Sequence, residues 1–138
     1  MPQLTNNESR GFTHYFRIPA AELVSGGTAA RTIGIMPRGS IVTNACVTVI
    51  TPIAGASDIT VTLGITGTAA GFIASTDLDA LTATAYNSGS LLDTEPGYVN
   101  NTASPVNIIA TLGGTVANIT AGEIVFGLTI LDPFSITP

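Results

Sequence analysis

Residues 39–65 constrain this chain more than any other stretch. Gly39-Ser40-Ile41-Val42-Thr43-Asn44-Ala45-Cys46-Val47-Thr48-Val49-Ile50 is dense in β-branched side chains, and so is Asp58-Ile59-Thr60-Val61-Thr62-Leu63-Gly64-Ile65. Such side chains are stiff about χ1 and fit a pleated surface better than a helix. Pro52, Gly55 and Ser57 lie between the two runs. The simplest reading is two strands and a loop, an antiparallel hairpin. In the second run Ile59, Val61, Leu63 and Ile65 share one face, with Asp58, Thr60, Thr62 and Gly64 on the other. Period 2 of this kind sets one face on a core.

The rest of the chain repeats the theme. Residues 1–11 are polar and aperiodic, which predicts an N-terminal arm, and residues 12–138 are predicted to form one domain. Phe12, His14, Phe16 and Ile18 alternate with Thr13, Tyr15 and Arg17, a strand closed by Pro19. Residues 20–24 predict a short strand or a helical turn, and residues 28–35 a strand. Pro37 and Gly39 are spaced for a β-turn. Residues 66–70 read as a loop around Gly67, and residues 71–74 as a short strand. Residues 75–81 are the one helix-like piece, with Asp77 in its first turn. Val106, Ile108, Ala110 and Leu112 alternate in one strand, and Ile124, Phe126, Leu128 and Ile130 in the last. Seven to nine short strands without a βαβ rhythm predict an all-β fold. The expected form is a small antiparallel β-sandwich of jelly-roll type, with a partly open β-barrel as the alternative.

Some strands carry apolar side chains on both faces. Val42, Cys46 and Ile50 stand opposite Ile41, Val47 and Val49, and Val125 and Leu131 opposite Phe126 and Leu128. A monomer would leave one such face wet, so a homotrimer with a sizeable apolar interface is expected. Charge points the same way. Only 9% of the 138 residues are charged, against about 25% in an average domain. All four basic residues are arginines in the first 38 positions, and residues 39–138 hold seven acids and no base. That distribution offers no basic patch for nucleic acid. No apolar run approaches the roughly 20 residues of a membrane span. The first 20 residues, with Glu8, Arg10 and Arg17, lack the apolar core of a signal peptide.

Catalytic chemistry finds little support. His14 is the one histidine and Cys46 the one cysteine, so zinc and a catalytic dyad lack ligands or partners. His14 is expected to be a satisfied core or interface side chain, and Cys46 a buried inert thiol. Lysine is absent, which removes Schiff-base chemistry and the P-loop. Asp77 and Asp79 make a lone Asp-x-Asp without the further ligands that calcium needs. No cofactor, metal or enzymatic activity is expected. The sequons at Asn7, Asn100 and Asn118 read as accidents of composition.

Three segments carry a family pattern: His14-Tyr-Phe-Arg-Ile; Arg31-Thr-Ile-Gly-Ile-Met-Pro-Arg-Gly-Ser-Ile-Val-Thr-Asn-Ala-Cys-Val-Thr-Val; and Thr60-Val-Thr-Leu-Gly-Ile. With the closing Ala121-Gly-Glu-Ile-Val-Phe-Gly-Leu-Thr-Ile, they resemble small structural proteins of tailed bacteriophages. The resemblance is one of strands and turns over about two-thirds of the chain, and Met36 stands where Leu is commoner. It implies a capsid decoration, or cement, protein at the virion surface, assembled in the host cytoplasm. Such proteins bind the major capsid protein as homotrimers, with avidity from several feet on one lattice. A tail, fibre or adaptor component is the alternative reading, followed by a sugar-binding module. Arg10, Arg17 and Tyr15 are the residues expected to contact the shell or a neighbouring subunit, arginine because its fork binds carboxylates bidentately.

Overall fold

The computed structural model describes residues 12–23, 30–78, 84–92 and 97–132. The predicted arm, Arg10 included, lies outside these. Nine strands are present among the described residues: β1 (His14–Pro19), β2 (Ala30–Met36), β3 (Ile41–Ala54), β4 (Thr60–Ile65), β5 (Thr68–Asp77), β6 (Thr84–Tyr86), β7 (Tyr98–Val99), β8 (Val106–Gly113) and β9 (Ala121–Leu131). One helical turn, α1 (Ala20–Leu23), follows β1, and a 3-10 turn spans Val116–Asn118. The strands form two antiparallel sheets that do not close into a barrel. One sheet has the order β1-β9-β3-β6, with β7 also pairing β3, and the other β2-β8-β4-β5.

This topology corrects the hairpin expected at residues 39–65. β3 and β4 belong to different sheets, and residues 55–59 carry the chain from one layer to the other. The physical reason is burial. Val47 and Val49 on β3, and Val61 and Leu63 on β4, are fully or almost fully buried. Strands of one hairpin would show these apolar faces to the same side and need a third element to cover them. Set in facing sheets, they cover each other. The true hairpin joins β4 to β5. Ile65 pairs with Thr68 across a two-residue turn in which Gly67 takes φ +89°, a conformation that glycine adopts without a Cβ penalty.

Two further expectations fail for related reasons. Residues 75–77 are not helical but end β5, where Thr76 pairs with Val61 and Asp77 with Thr60; residues 79–81 of the predicted helical piece lie outside the described residues. The buried Leu78 continues the contact by donating its N–H to Ile59 O at 2.9 Å. Pairing with β4 gives this segment a ladder that a local capping preference does not outweigh. β3 also departs from simple alternation. Its register against β9 shifts between Val42 and Asn44. The bulge puts Val42 on the same buried side as Ala45, Val47 and Val49, whereas strict alternation sets Val42 opposite Val47. The alternations in β8 and β9 hold, with Ile108, Ala110, Leu112, Ile124, Phe126, Leu128 and Ile130 all buried.

The core lies between the sheets, with Phe72 and Phe126 its largest fully buried side chains. Each such residue contributes about 1.5–3 kcal/mol by leaving water. The free edge of β5 is partly covered. Gly89 N–H donates to Phe72 O (3.0 Å), Leu91 N–H to Gly71 O (2.7 Å) and Ala74 N–H to Ser88 Oγ (3.0 Å). Covering an edge in this way removes a template for unwanted strand pairing.

Loops at the end of the sandwich near Asp58 are tied by charge. The Asp58 carboxylate accepts the Thr115 N–H at 3.0 and 3.1 Å and the Thr115 hydroxyl as well. The Thr115 hydroxyl and N–H hold the Asp58 carboxyl below its usual range. A carboxylate with a depressed folded-state pKa contributes stability above its unfolded pKa, and that contribution disappears as pH falls through the folded value. Asp58→Ala should therefore lower the melting temperature at pH 7. The difference from wild type should shrink steadily below about pH 4, where an unfolded carboxyl protonates. Melting curves of both proteins from pH 7 to strong acid test this; a difference that stays constant would remove the ionised Asp58 from the account.

Candidate interaction face

The strand pairings assign every side chain of the β1-β9-β3-β6 sheet to one of two faces. Residues directly opposite in an antiparallel pair share a face. Phe126 is buried, so its partners Phe16 and Val47 point inward. The outward row beside them is Tyr15–Gly127–Cys46–Tyr86, and the next is Arg17–Val125–Thr48. Towards the start of β3, Val99, Ile41 and Leu131 form a third outward row. Six large hydrophobic side chains are exposed among the described residues, and five are on this face: Tyr15, Ile50, Tyr86, Val99 and Leu131. The sixth, Ile35, is on β2.

An aromatic cluster stands at the centre. The Phe12 ring lies edge-on to Tyr15 at 6.0 Å and to Tyr86 at 6.2 Å between centroids. Both are favourable T-shaped arrangements. Glycine at 127 makes room for that ring. A Cβ there would stand 3.2 Å from Phe12 and 2.9 Å from Cys46 Sγ. The ladder between β1 and β9 extends to Thr13 and holds Phe12 in place. Thr13 N–H donates to Leu128 O at 3.0 Å, and Ile130 N–H donates to Thr13 Oγ1 at 2.9 Å. Tyr86 is 57% exposed, yet its hydroxyl is anchored, donating to Asn44 Oδ1 at 2.7 Å. Asn87 also donates to that oxygen at 3.2 Å, and its own Oδ1 accepts the Ala45 N–H at 2.7 Å. The ring is thus presented to solvent with its polar tip already satisfied.

The expected site residues fare differently. Arg10 lies outside the described residues. Tyr15 and Arg17 do share one outward face. Arg17 already has a partner within the chain, donating through Nη2 to Glu123 Oε1 at 2.8 Å. That hydrogen bond raises the Arg17 pKa and lowers that of Glu123. The pair is exposed, with Arg17 mostly in solvent, and pairs of this kind contribute little to stability. His14 is exposed rather than part of the core, and shares a hydrogen bond with Thr13 Oγ1 at 2.7 Å. Phe12 lies on the outward face, not beside Phe16 and Ile18 as its parity implies. Sequence reasoning also missed Tyr86, Asn44 and Val99. The available signal was Gly127, a residue without a side chain between Phe126 and Leu128 in mid-strand.

Cys46 is half-buried, and burial pushes its thiol pKa up, partly offset by a backbone hydrogen bond with Gly127. A raised pKa leaves little thiolate, the reactive form. Among the described residues no three His, Cys, Asp or Glu side chains come together as a metal site would need, and no helix is long and apolar enough to cross a membrane. One open cleft, between the end of β1, α1 and β2, is lined by Ile18, Glu22, Arg31, Thr32 and Ile33. Arg31 Nη1 donates across it to the Glu22 carbonyl at 2.6 Å.

No protein-family model matches the sequence, and no curated protein does. Solved structures do resemble it. A chain of the "Cyanophage Pam1 capsid asymmetric unit" is similar with a TM-score of 0.61 and 16% identity, over 86% of this chain and 82% of that one. A chain of the "Acidic stable capsid structure of Helicobacter pylori bacteriophage KHP30" is similar with a TM-score of 0.52 and 15% identity, over 86% of each. At such identities the likeness is one of fold.

Proposed function

We propose that this protein is a structural component of a bacteriophage virion, a decoration protein that binds the outer capsid surface as a homotrimer and stabilises the shell. The observation that carries the reading is the fold. It is shared over 86% of the chain with chains from two phage capsid structures. The order β1-β9-β3-β6 over β2-β8-β4-β5 supports a jelly roll. An outward face of exposed aromatic and aliphatic side chains supports assembly rather than catalysis. The partner is the major capsid protein. Three copies on one lattice bind with an avidity that one copy lacks. The N-terminal arm, Arg10 in particular, reaches the shell.

Co-sedimentation with capsids lacking the protein tests the reading. Wild type should sediment with the capsids and raise their resistance to heat, and purified particles should hold hundreds of copies. Deleting residues 2–9 should leave the melting temperature of the free protein nearly unchanged and weaken sedimentation. Arg10→Glu should weaken it more at low salt than at high, because exposed charges are screened over roughly 10 Å at 0.1 M. No binding by wild type would overturn the reading. About a dozen copies per particle would point to a tail or adaptor piece instead. Full binding by the truncated protein would move the contact from the arm to the domain.

A further inference from the structure

We propose that acid acts on this protein as a local switch: it releases the loop of residues 114–119 at the Asp58 end of the sandwich and leaves both sheets folded. The switch belongs to the free protein and is independent of the proposed function.

The sheets resist acid because little in them titrates. Acid unfolds a protein when paired carboxylates must take up protons, when a buried neutral histidine must charge, or when positive charges crowd together. None of these drives is strong here. The buried polar side chains among the described residues are Ser40 and Asn100, and neither titrates. His14, the one histidine, is exposed. Strands β3, β4 and β8 carry no Asp, Glu, His, Lys or Arg. The Arg17–Glu123 pair is lost in acid, but it is exposed and contributes little. With every carboxyl protonated, the side chains carry five positive charges, four arginines and His14, on 138 residues. An average domain, about a quarter of it charged, would carry several times as many.

The loop after β8, by contrast, is held by a carboxylate. Gly114 takes φ +94° and lies so close to Asp58 that a Cβ would stand 2.1 Å from the Asp58 carbonyl oxygen. Thr115 begins the 3-10 turn, yet its hydroxyl does not cap that turn. Thr115 gives both its N–H and its hydroxyl to the Asp58 carboxylate. Bonds to an ionised acceptor are roughly twice as strong as neutral ones. They hold the Asp58 carboxyl below its usual range, so the tie is complete at neutral pH and disappears as pH falls through that lowered value. The titratable groups on the strands packed around it are Asp77, at the end of β5 opposite Thr60, and Glu123, at the start of β9 and paired with Arg17. Both lose charge in acid as Asp58 does, so neither replaces the tie. At its far end the loop is held by the Thr120 N–H, which donates to Ala54 O at 2.9 Å, a backbone bond that acid leaves alone. The loop therefore swings free at Thr115 and stays attached at Thr120.

Amide hydrogen exchange, followed by NMR from pH 7 to strong acid and expressed against the intrinsic rate at each pH, tests this. The protection of Thr115 should fall by about tenfold as Asp58 protonates. The amides of β4, β8 and β9 should stay protected, and the far-UV circular dichroism should not change. Asp58→Asn keeps an acceptor but has nothing to protonate. It should show the lowered Thr115 protection already at pH 7, with no further change in acid. Cooperative loss of the dichroism in acid, with all amides opening together, would overturn the inference. So would a Thr115 protection that is constant with pH in wild type, or that falls equally in Asp58→Asn. Capsid co-sedimentation at neutral pH reads the virion proposal separately, and neither result decides the other.

Discussion

Phe126→Asp should yield no folded protein, and Ile59→Asp should do the same. Both side chains are fully buried, one in the centre of β9 and the other just before β4. Both belong to the apolar core cluster between the sheets. An unpaired carboxylate there must either shift its pKa far upward or remain charged without solvent. Either way the penalty is several kcal/mol, against a total stability of about 5–15 kcal/mol. Thr60→Asp is the control. Thr60 is next to Ile59 but turns outward, half-buried and opposite Asp77. Like charges in that pairing should lower stability by roughly 0.2–1 kcal/mol and leave a folded protein. Soluble yield, circular dichroism and thermal melting distinguish the three. Equal tolerance of Asp at positions 59 and 60 would mean that the register of this segment is wrong.

The second large effect belongs to a polar residue. Asn100 is fully buried and uses its side chain completely. Its Nδ2 donates to the carbonyls of Met36 (3.1 Å), Pro37 (3.2 Å) and Ser104 (3.0 Å). Its Oδ1 accepts the Thr102 N–H at 3.1 Å and the Thr102 hydroxyl at 2.6 Å. Its backbone is paired with Gly39 and Ser40. One amide thus joins the turn after β2 to the loop before β8, across 60 residues of sequence. Asn100→Ala removes all of these side-chain bonds at a fully buried position. Pro37 O keeps Ser40 and Ser104 O keeps Thr102 as donors, but the buried Met36 carbonyl loses its side-chain donor and Thr102 its acceptor, and the expected loss is on the order of 3 kcal/mol. That corresponds to a fall in melting temperature of roughly 10 °C for a domain of this size. Asn100→Asp should be worse, because a carboxylate would face three carbonyl oxygens. Asn101→Ala, at the exposed neighbour, should change stability by no more than about 0.5 kcal/mol. If positions 100 and 101 behaved alike, the amide would not be the tie. The same burial closes the sequon at Asn100 to any modifying enzyme while the domain is folded.

The limits of reading this chain by sequence follow from range. Alternation in β8 and β9 was legible because the face of a strand depends only on the pleat and on the side chains two residues away. The all-β class and the two-sided apolar character of β9 were legible for the same reason. The bulge at Val42–Asn44 was not, because an extra residue in β3 is defined only against β9, some 85 residues later. Nor was the crossing of β3 and β4. Their local signals describe two strands equally well in one sheet or in two, and the choice was made by which arrangement covers Val47, Val49, Val61 and Leu63 at once. Asp77 has the local chemistry of a helix start, and pairing with Thr60 overrode it. The interaction face shows the division most plainly. Gly127 and the exposed tyrosines could be listed from sequence, but only the pairing of β1, β9, β3 and β6 sets Tyr15, Gly127, Cys46 and Tyr86 in one row, with Phe12 over the gap. Local sequence determined which segments are strands and which of their sides are apolar, because those properties act between near neighbours. Tertiary structure decided which strands meet and which apolar side stays outside, because burial is shared among residues that the chain brings together only when it folds.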